Sequence, residues 1–129
     1  IHCIWLNDND IDILARNKAN VVHCPLSNLK LGSGIAPVSK MIEKGINVAL
    51  GTDGAASSNR LDIWEAGKFA ALLQKGINND PVKISAQKAI EMMTINGLKV
   101  LGIDIEKQLS LNDNYNFLYE LNVDDLNFL

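Results

Sequence analysis

Two spacings of apolar residues alternate along the chain and divide it into predicted strands and helices. Residues 21–22 and 46–50 are short apolar runs bounded by polar or glycine residues, as expected of strands covered on both faces. Between such runs the apolar positions recur at helical intervals of three and four, first at Ile11, Leu14 and Ala15. This alternation predicts an α/β fold built around a parallel sheet.

Capping residues predict where four helices begin. Asn7 or Asp8 caps the first helix, Pro37 opens the second, and Asp62 caps the third. Ser85 caps the fourth. The expected helix stops are Asn20, Gly45, Gly76 and the pair Asn96-Gly97. The large apolar residues expected to pack inward from the third and fourth helices are Trp64, Phe69, Leu72, Leu73, Ile90, Met92 and Met93.

Ionisable residues follow the predicted strands. His23 ends the short apolar run 21–22, and His2 occupies the matching place in a faint repeat of that string at residues 1–7. A polar loop is expected at residues 27–34, and Asp53 lies in a glycine-flanked turn after residues 46–50. The carboxyl edge of a parallel sheet is where ligands bind, and imidazole and carboxylate groups are ligands that zinc accepts. A histidine alone at such a position equally fits a hydrogen-bonded structural role, so both interpretations stay open at this point.

The composition excludes several classes of partner and location. Of the 129 residues, 47% are hydrophobic and 21% are charged, which fits a single soluble domain. A net charge of −3 with scattered basic residues argues against nucleic acid as a partner. No apolar run approaches the roughly 18 residues of a membrane span. Cys3 and Cys24 cannot form a disulfide framework, so a reduced, cytoplasmic location is expected.

The pattern of polar and apolar residues changes from Gln108 onward. Asparagines alternate with apolar residues there, a pattern that favours short strands and turns. We therefore divide the chain into residues 1–107 and a tail of residues 108–129.

Two long strings carry a resemblance to a known family. They are HCPLSNLKLGSGIAPV at residues 23–38 and GINVALGTDGAAS at residues 45–57. Both resemble the amidohydrolase superfamily, and within it the 5-methylthioadenosine/S-adenosylhomocysteine deaminases and their chlorohydrolase relatives. The resemblance runs from His2 to about Ile103.

The resemblance implies a specific place in a larger fold. Members of this family form a metal-dependent (β/α)8 TIM barrel with a small β domain. Residues 1–3, 21–23 and 46–51 would then end or form strands six, seven and eight. Residues 1–107 would be the last three βα steps of the barrel, and residues 108–129 would belong to the small β domain or be irregular.

The resemblance also implies roles for individual residues. Asp53 matches an aspartate that binds one divalent cation, zinc or alternatively iron, and accepts a proton from water. His2 matches a catalytic histidine that orients that water. His23, Ser27 and Asn28 match a segment at the pocket wall, which implies contact with the substrate. The other metal ligands of the family lie upstream of this segment.

The implied activity is hydrolytic deamination of the adenine ring of 5-methylthioadenosine or S-adenosylhomocysteine, as part of a longer enzyme. The alternatives are another hydrolase of the same branch, acting on guanine, aminofutalosine or a chlorotriazine, or a catalytically inactive fragment. The expected partners are a small-molecule substrate and the remaining barrel segments of the parent chain, and homo-oligomerisation is left open. Taken alone, the 129 residues are expected neither to bind metal tightly nor to catalyse.

Overall fold

The computed structural model describes residues 1–103, so the predicted tail lies outside the described residues. The first helices and strands are α1 Asp8–Arg16, β1 Asn20–His23, α2 Pro25–Lys30, α3 Val38–Glu43 and β2 Asn47–Leu50. They are followed by α4 Ala55–Ser58, α5 Ile63–Asn78, α6 Ala86–Met93 and α7 Ile95–Val100. No helix in this range is long and apolar enough to cross a membrane.

The sheet contains β1 and β2, which pair in parallel. Asn20 lies opposite Asn47, and His23 lies opposite Leu50. Both runs are rich in apolar side chains and are joined by a crossover that contains α2 and α3, as a parallel pair requires. The predicted α/β class and the parallel pairing are confirmed, and the carboxyl ends of both strands meet at one edge.

A single apolar cluster packs the sheet against the helices. Among its fully buried members are Met41 from α3, Val48 from β2 and Met92 from α6. Burial of a side chain of this size stabilises the fold by about 1.5 to 3 kcal/mol. The expectation that Met92 fills the core is confirmed.

Several local predictions from capping are confirmed. The Asn7 side chain accepts a hydrogen bond from the backbone N–H of Asp10, and the Asp10 side chain accepts one from the backbone N–H of Asn7. The Asp62 carboxylate accepts from two backbone N–H groups at the start of α5, and Ser85 caps α6. These motifs satisfy N–H groups that have no partner inside the helix, so the local sequence fixes the helix starts.

Four boundaries differ from expectation. α1 ends at Arg16, before the expected stop at Asn20, which instead begins β1. The expected loop at residues 27–34 is helical in its first half. Pro25 can open α2 because the N–H that proline lacks would have no partner in the first turn of a helix. α5 continues past Gly76 and ends at Asn78, before Asn79 adopts a left-handed backbone with φ 51°. A further helix, α7, forms across the expected stop at residues 96–97.

Residues 1–3 form no strand. His2 and Cys3 have φ angles of 68° and 48°, which are left-handed and incompatible with β structure. One backbone hydrogen bond, from the N–H of His2 to the carbonyl of Val22 at 2.9 Å, holds this segment beside β1.

The buried face of α5 is also not the one that its large apolar residues predict. Trp64 and Leu72 are each about half exposed. The fully buried positions are instead Ala66, Gly67, Ala70 and Gln74. Small side chains let α5 approach α6 closely: a Cβ atom on Gly67 would lie 2.6 Å from the Met93 Sδ atom.

Candidate active site

Three segments meet beyond the carboxyl ends of β1 and β2. Residues 1–3 lie beside β1, α2 follows β1 after the single residue Cys24, and the turn after β2 carries Asp53. Polar side chains from these segments form two neighbouring hydrogen-bonded pairs, which together we call the edge cluster. The edge cluster comprises His2, Ser27, Asn28 and Asp53.

The Asp53 carboxylate is exposed and held by two neutral donors. The Ser27 hydroxyl donates to Oδ2 at 2.7 Å, and the backbone N–H of Gly54 donates to Oδ1 at 2.8 Å. These two hydrogen bonds, that of Ser27 first, lower the pKa of the Asp53 carboxyl below its usual value. Asp53 is therefore ionised at neutral pH and can accept a proton or bind a cation.

His2 lies between Asn28 and Asp53. Its Nδ1 atom is 2.8 Å from the Asn28 Oδ1 atom, and its Nε2 atom is 3.8 Å from Oδ2 of Asp53. Because an amide oxygen can only accept, Nδ1 carries the proton in this arrangement. The distance from Nε2 to Asp53 is too long for a hydrogen bond, so Nε2 faces the carboxylate without binding it.

The backbone of the edge cluster is strained at both ionisable residues. Asp53 has φ 59° and His2 has φ 68°, in the left-handed region that side chains larger than glycine adopt rarely. Such residues cost on the order of 1 to 3 kcal/mol and concentrate at functional sites, where their surroundings hold them. The hydrogen bonds from Ser27 and to Asn28 are part of that restraint.

His23 is not joined to the edge cluster by any hydrogen bond of residues 1–103. It lies opposite Leu50 in register, and Leu50 belongs to the apolar core, so His23 points to the helix side of the sheet. It is 1% exposed, and neither ring nitrogen has a partner among the described residues. Contact of His23 with a substrate stays a prediction.

We expect His23 to make the stability of the protein pH-dependent. Burial, aided by His2, lowers the pKa of His23 from its usual 6.5 to about 4. The unfolded chain therefore binds the proton first, and the stabilisation present above pH 6.5 is lost as the pH falls towards 4. Between pH 7 and pH 5 the loss is about 2 kcal/mol.

Urea unfolding of the protein that carries this chain, at pH 7 and pH 5, measures this loss. The variant His23→Phe keeps the ring volume but cannot titrate, so it should lack this part of the pH dependence. Equal losses in wild type and variant would contradict the burial of a neutral imidazole.

The described residues contain no group of three or more His, Cys, Asp or Glu side chains that could hold a metal ion. Asp53 fits as one oxygen ligand, because its carboxylate is ionised, exposed and free of any lysine or arginine partner in the described part of the chain. The Cys24 thiol is a poor donor because burial raises its pKa. Residues 1–103 therefore offer one candidate ligand but no complete metal site.

Lys30, which no sequence pattern marks as functional, links α2 to the segment after Asp53. Its ammonium donates to the carbonyl of Ala56 at 2.8 Å and also contacts the side-chain oxygen of Asn59. Lys30 lies inside the first of the two long strings, but nothing in its local pattern indicates a partner 26 residues away.

Comparison with known proteins gives consistent matches. The model of the amidohydrolase family matches residues 1–107. The chain is 55% identical over 103 residues to a 5′-deoxyadenosine deaminase of Methanosarcina acetivorans, covering 80% of this chain and 24% of that protein. It is 50% identical to a 5-methylthioadenosine/S-adenosylhomocysteine deaminase of Dictyoglomus thermophilum, with the same coverage. The chain thus spans about a quarter of the length of these relatives.

A solved structure agrees with these matches. The zinc-bound adenosine deaminase of Xanthomonas campestris superposes with a TM-score of 0.76 at 39% identity, covering 78% of this chain and 23% of that one. The resemblance inferred from the two strings is thereby confirmed. Since the family model covers most of the chain, including every residue of the edge cluster, this chain belongs to the amidohydrolase family.

Proposed function

We propose that this chain forms part of the active site of a divalent-metal-dependent deaminase that acts on the adenine ring of a 5′-modified adenosine. The observation that carries the proposal is the ionised, exposed Asp53 facing the Nε2 atom of His2 at 3.8 Å. A proton acceptor beside an imidazole is what activation of water for attack on an aromatic carbon requires. The names of the relatives support adenosine derivatives as the substrate class.

The reaction balances with water as the co-reactant. The water oxygen bonds to the ring carbon that carries the amine, the carbon–nitrogen bond breaks, and the products are the hypoxanthine derivative and ammonia. Asp53 accepts the proton that the attacking water loses, and the unprotonated Nε2 of His2 accepts a hydrogen bond from the O–H that remains, which orients the oxygen for attack. The acid that protonates the departing ammonia lies outside the described residues in this proposal.

Asp53 would hold the cation together with ligands from outside the described residues. When bound, the cation supplies Lewis-acid activation of water at neutral pH. Zinc is the first choice, because the adenosine deaminase that superposes on this chain carries zinc; iron is the alternative. Ser27 and Asn28 are not assigned as ligands of the cation.

We assign residues 1–107 to the last three βα steps of a (β/α)8 barrel, on the parallel pairing of β1 and β2 and the similarity to longer amidohydrolases. The tail of residues 108–129 is assigned to the small β domain that the resemblance implies or to irregular structure. A cytoplasmic location and assembly into a homo-oligomer stay predictions.

Ammonia release, with chloride release for the chlorotriazine, tests the proposal. The protein that carries this chain is loaded with zinc and incubated separately with 5′-deoxyadenosine, 5-methylthioadenosine, S-adenosylhomocysteine, guanine, aminofutalosine and atrazine. We expect ammonia and a hypoxanthine product from at least one of the first three. Turnover of guanine, aminofutalosine or the chlorotriazine alone would replace the substrate class. A zinc-loaded protein that turns over none of them would contradict the proposal.

A further inference from the structure

We propose that Ser27 and Asn28 are a positioning pair, in which Asn28 holds His2 with its proton on Nδ1 while Ser27 holds the Asp53 carboxylate. Its catalytic consequence rests on the proposed function. The family resemblance implies that these two residues contact the substrate. The contacts of the described residues instead favour a role in positioning His2 and Asp53.

Burial separates the two residues from the groups they hold. Ser27 and Asn28 are 1% and 2% exposed, whereas the side chains of His2 and Asp53 are 39% and 37% exposed. A substrate that enters from solvent therefore meets His2 and Asp53 before it can reach the pair. Both buried side chains already bind a site residue, Ser27 at 2.7 Å and Asn28 at 2.8 Å.

The position of the pair on α2 explains how neighbouring residues hold different partners. Consecutive residues of a helix point about 100° apart, so Ser27 and Asn28 diverge towards Asp53 and His2. α2 is fixed at its start by Pro25 and at its end by the bond from Lys30 to the carbonyl of Ala56. A short, anchored helix thus sets the relative position of an imidazole and a carboxylate that are 51 positions apart in sequence.

The tautomer of His2 decides whether Asp53 is free to act. With the proton on Nδ1, Nε2 offers a lone pair towards the site and leaves the carboxylate oxygen to accept a proton from water. With the proton on Nε2, the imidazole would donate towards Oδ2 of Asp53 and compete with water for that oxygen. The Asn28 oxygen selects the first tautomer, because it accepts from Nδ1–H.

The other half of the Asn28 amide supports this interpretation. Its Nδ2 group is buried and has no hydrogen-bond partner among the described residues. A buried donor without a partner destabilises the fold by about 1 to 3 kcal/mol, so the amide brings little benefit to packing. The carbonyl oxygen of Asn28, which accepts from His2, is the half of the amide that has a hydrogen-bond partner.

The test combines NMR with kinetics on the zinc-loaded protein that carries this chain. The ring nitrogens are observed after labelling histidine with 15N, and the His2 signals are assigned by their loss in His2→Gln. The wild type should show a protonated Nδ1 and an unprotonated Nε2. Asn28→Leu should move the proton to Nε2 and lower kcat by about 10- to 100-fold with little change in KM. Asn28→Asp keeps an acceptor, so it should keep the proton on Nδ1 and recover part of kcat.

A matched control separates positioning from a general loss of structure. Asn96 is buried and donates one side-chain hydrogen bond, to the carbonyl of Val48 at 2.8 Å, away from the edge cluster. Asn96→Leu should lower the melting temperature but leave the His2 tautomer and kcat unchanged. Ser27→Ala should lower kcat while leaving the His2 tautomer as in the wild type.

Each outcome decides between roles. A rise in KM with an unchanged tautomer in Asn28→Leu would assign Asn28 to the substrate and overturn the proposal. An unchanged tautomer with a lower melting temperature alone would make Asn28 structural and would also overturn it. If the wild type releases no ammonia from any adenosine derivative, the proposed function fails, while the NMR measurement still decides whether Asn28 sets the tautomer.

Discussion

Replacement of Asp53 by asparagine should lower kcat/KM by at least about 10³-fold, because it removes the proposed proton acceptor of the site. It also replaces the proposed anionic metal ligand with a neutral amide, which should weaken metal binding. The protein that carries this chain is assayed for ammonia release with its best adenosine substrate, and its metal content is measured alongside.

Asparagine is the informative replacement because it leaves the local structure intact. Asp53 has φ 59°, and asparagine tolerates this left-handed backbone as well as aspartate does. Ser27 can rotate its hydroxyl to face either half of the new amide. Stability should therefore change by no more than about 1 kcal/mol, measured by urea unfolding.

Asp12→Asn is the matched control for the loss of one carboxylate. Asp12 lies on α1 and pairs with Lys44 at 2.7 Å on the surface, in no contact with the edge cluster. Its replacement should leave kcat/KM within about twofold of the wild type, because exposed ion pairs contribute little. Near-normal turnover by Asp53→Asn would rule out Asp53 as the proton acceptor.

Gln74→Leu should destabilise the protein by about 3 kcal/mol, although leucine is more apolar and has a similar volume. Gln74 is fully buried in α5. Its Oε1 atom accepts from the backbone N–H of Ser39 at 3.0 Å, and its Nε2 atom donates to the carbonyl of Ala36 at 2.9 Å. Both backbone groups belong to buried residues, so leucine would leave a donor and an acceptor without partners.

Denaturant unfolding with Gln87→Leu as the control measures this effect. Gln87 lies exposed on α6, and within residues 1–103 its amide reaches only Glu91, at 3.4 Å. Its replacement should change stability by no more than about 0.5 kcal/mol. If Gln74→Leu were as stable as the wild type, the two hydrogen bonds that tie α5 to Ala36 and to Ser39 of α3 would contribute nothing.

The sequence alone determined the strands, their parallel pairing and the starts of several helices. Apolar runs define β1 and β2, and the caps at Asn7 and Asp62 act within four residues along the chain, so they can be recognised without the fold. The same local signals placed His2 and Asp53 at one edge of the sheet. The two long strings then gave the family, which the comparisons confirmed.

Only the tertiary structure decided which side chains these elements bury and bind. Trp64 and Leu72 have the apolar character of core residues, yet α5 buries Gly67 and Gln74, because close packing on α6 needs small side chains and two backbone groups need Gln74. The partners within the edge cluster, such as Asn28 and His2, are 26 positions apart. Periodicity and capping act over a few residues, so contacts of this range exist only once the chain has folded.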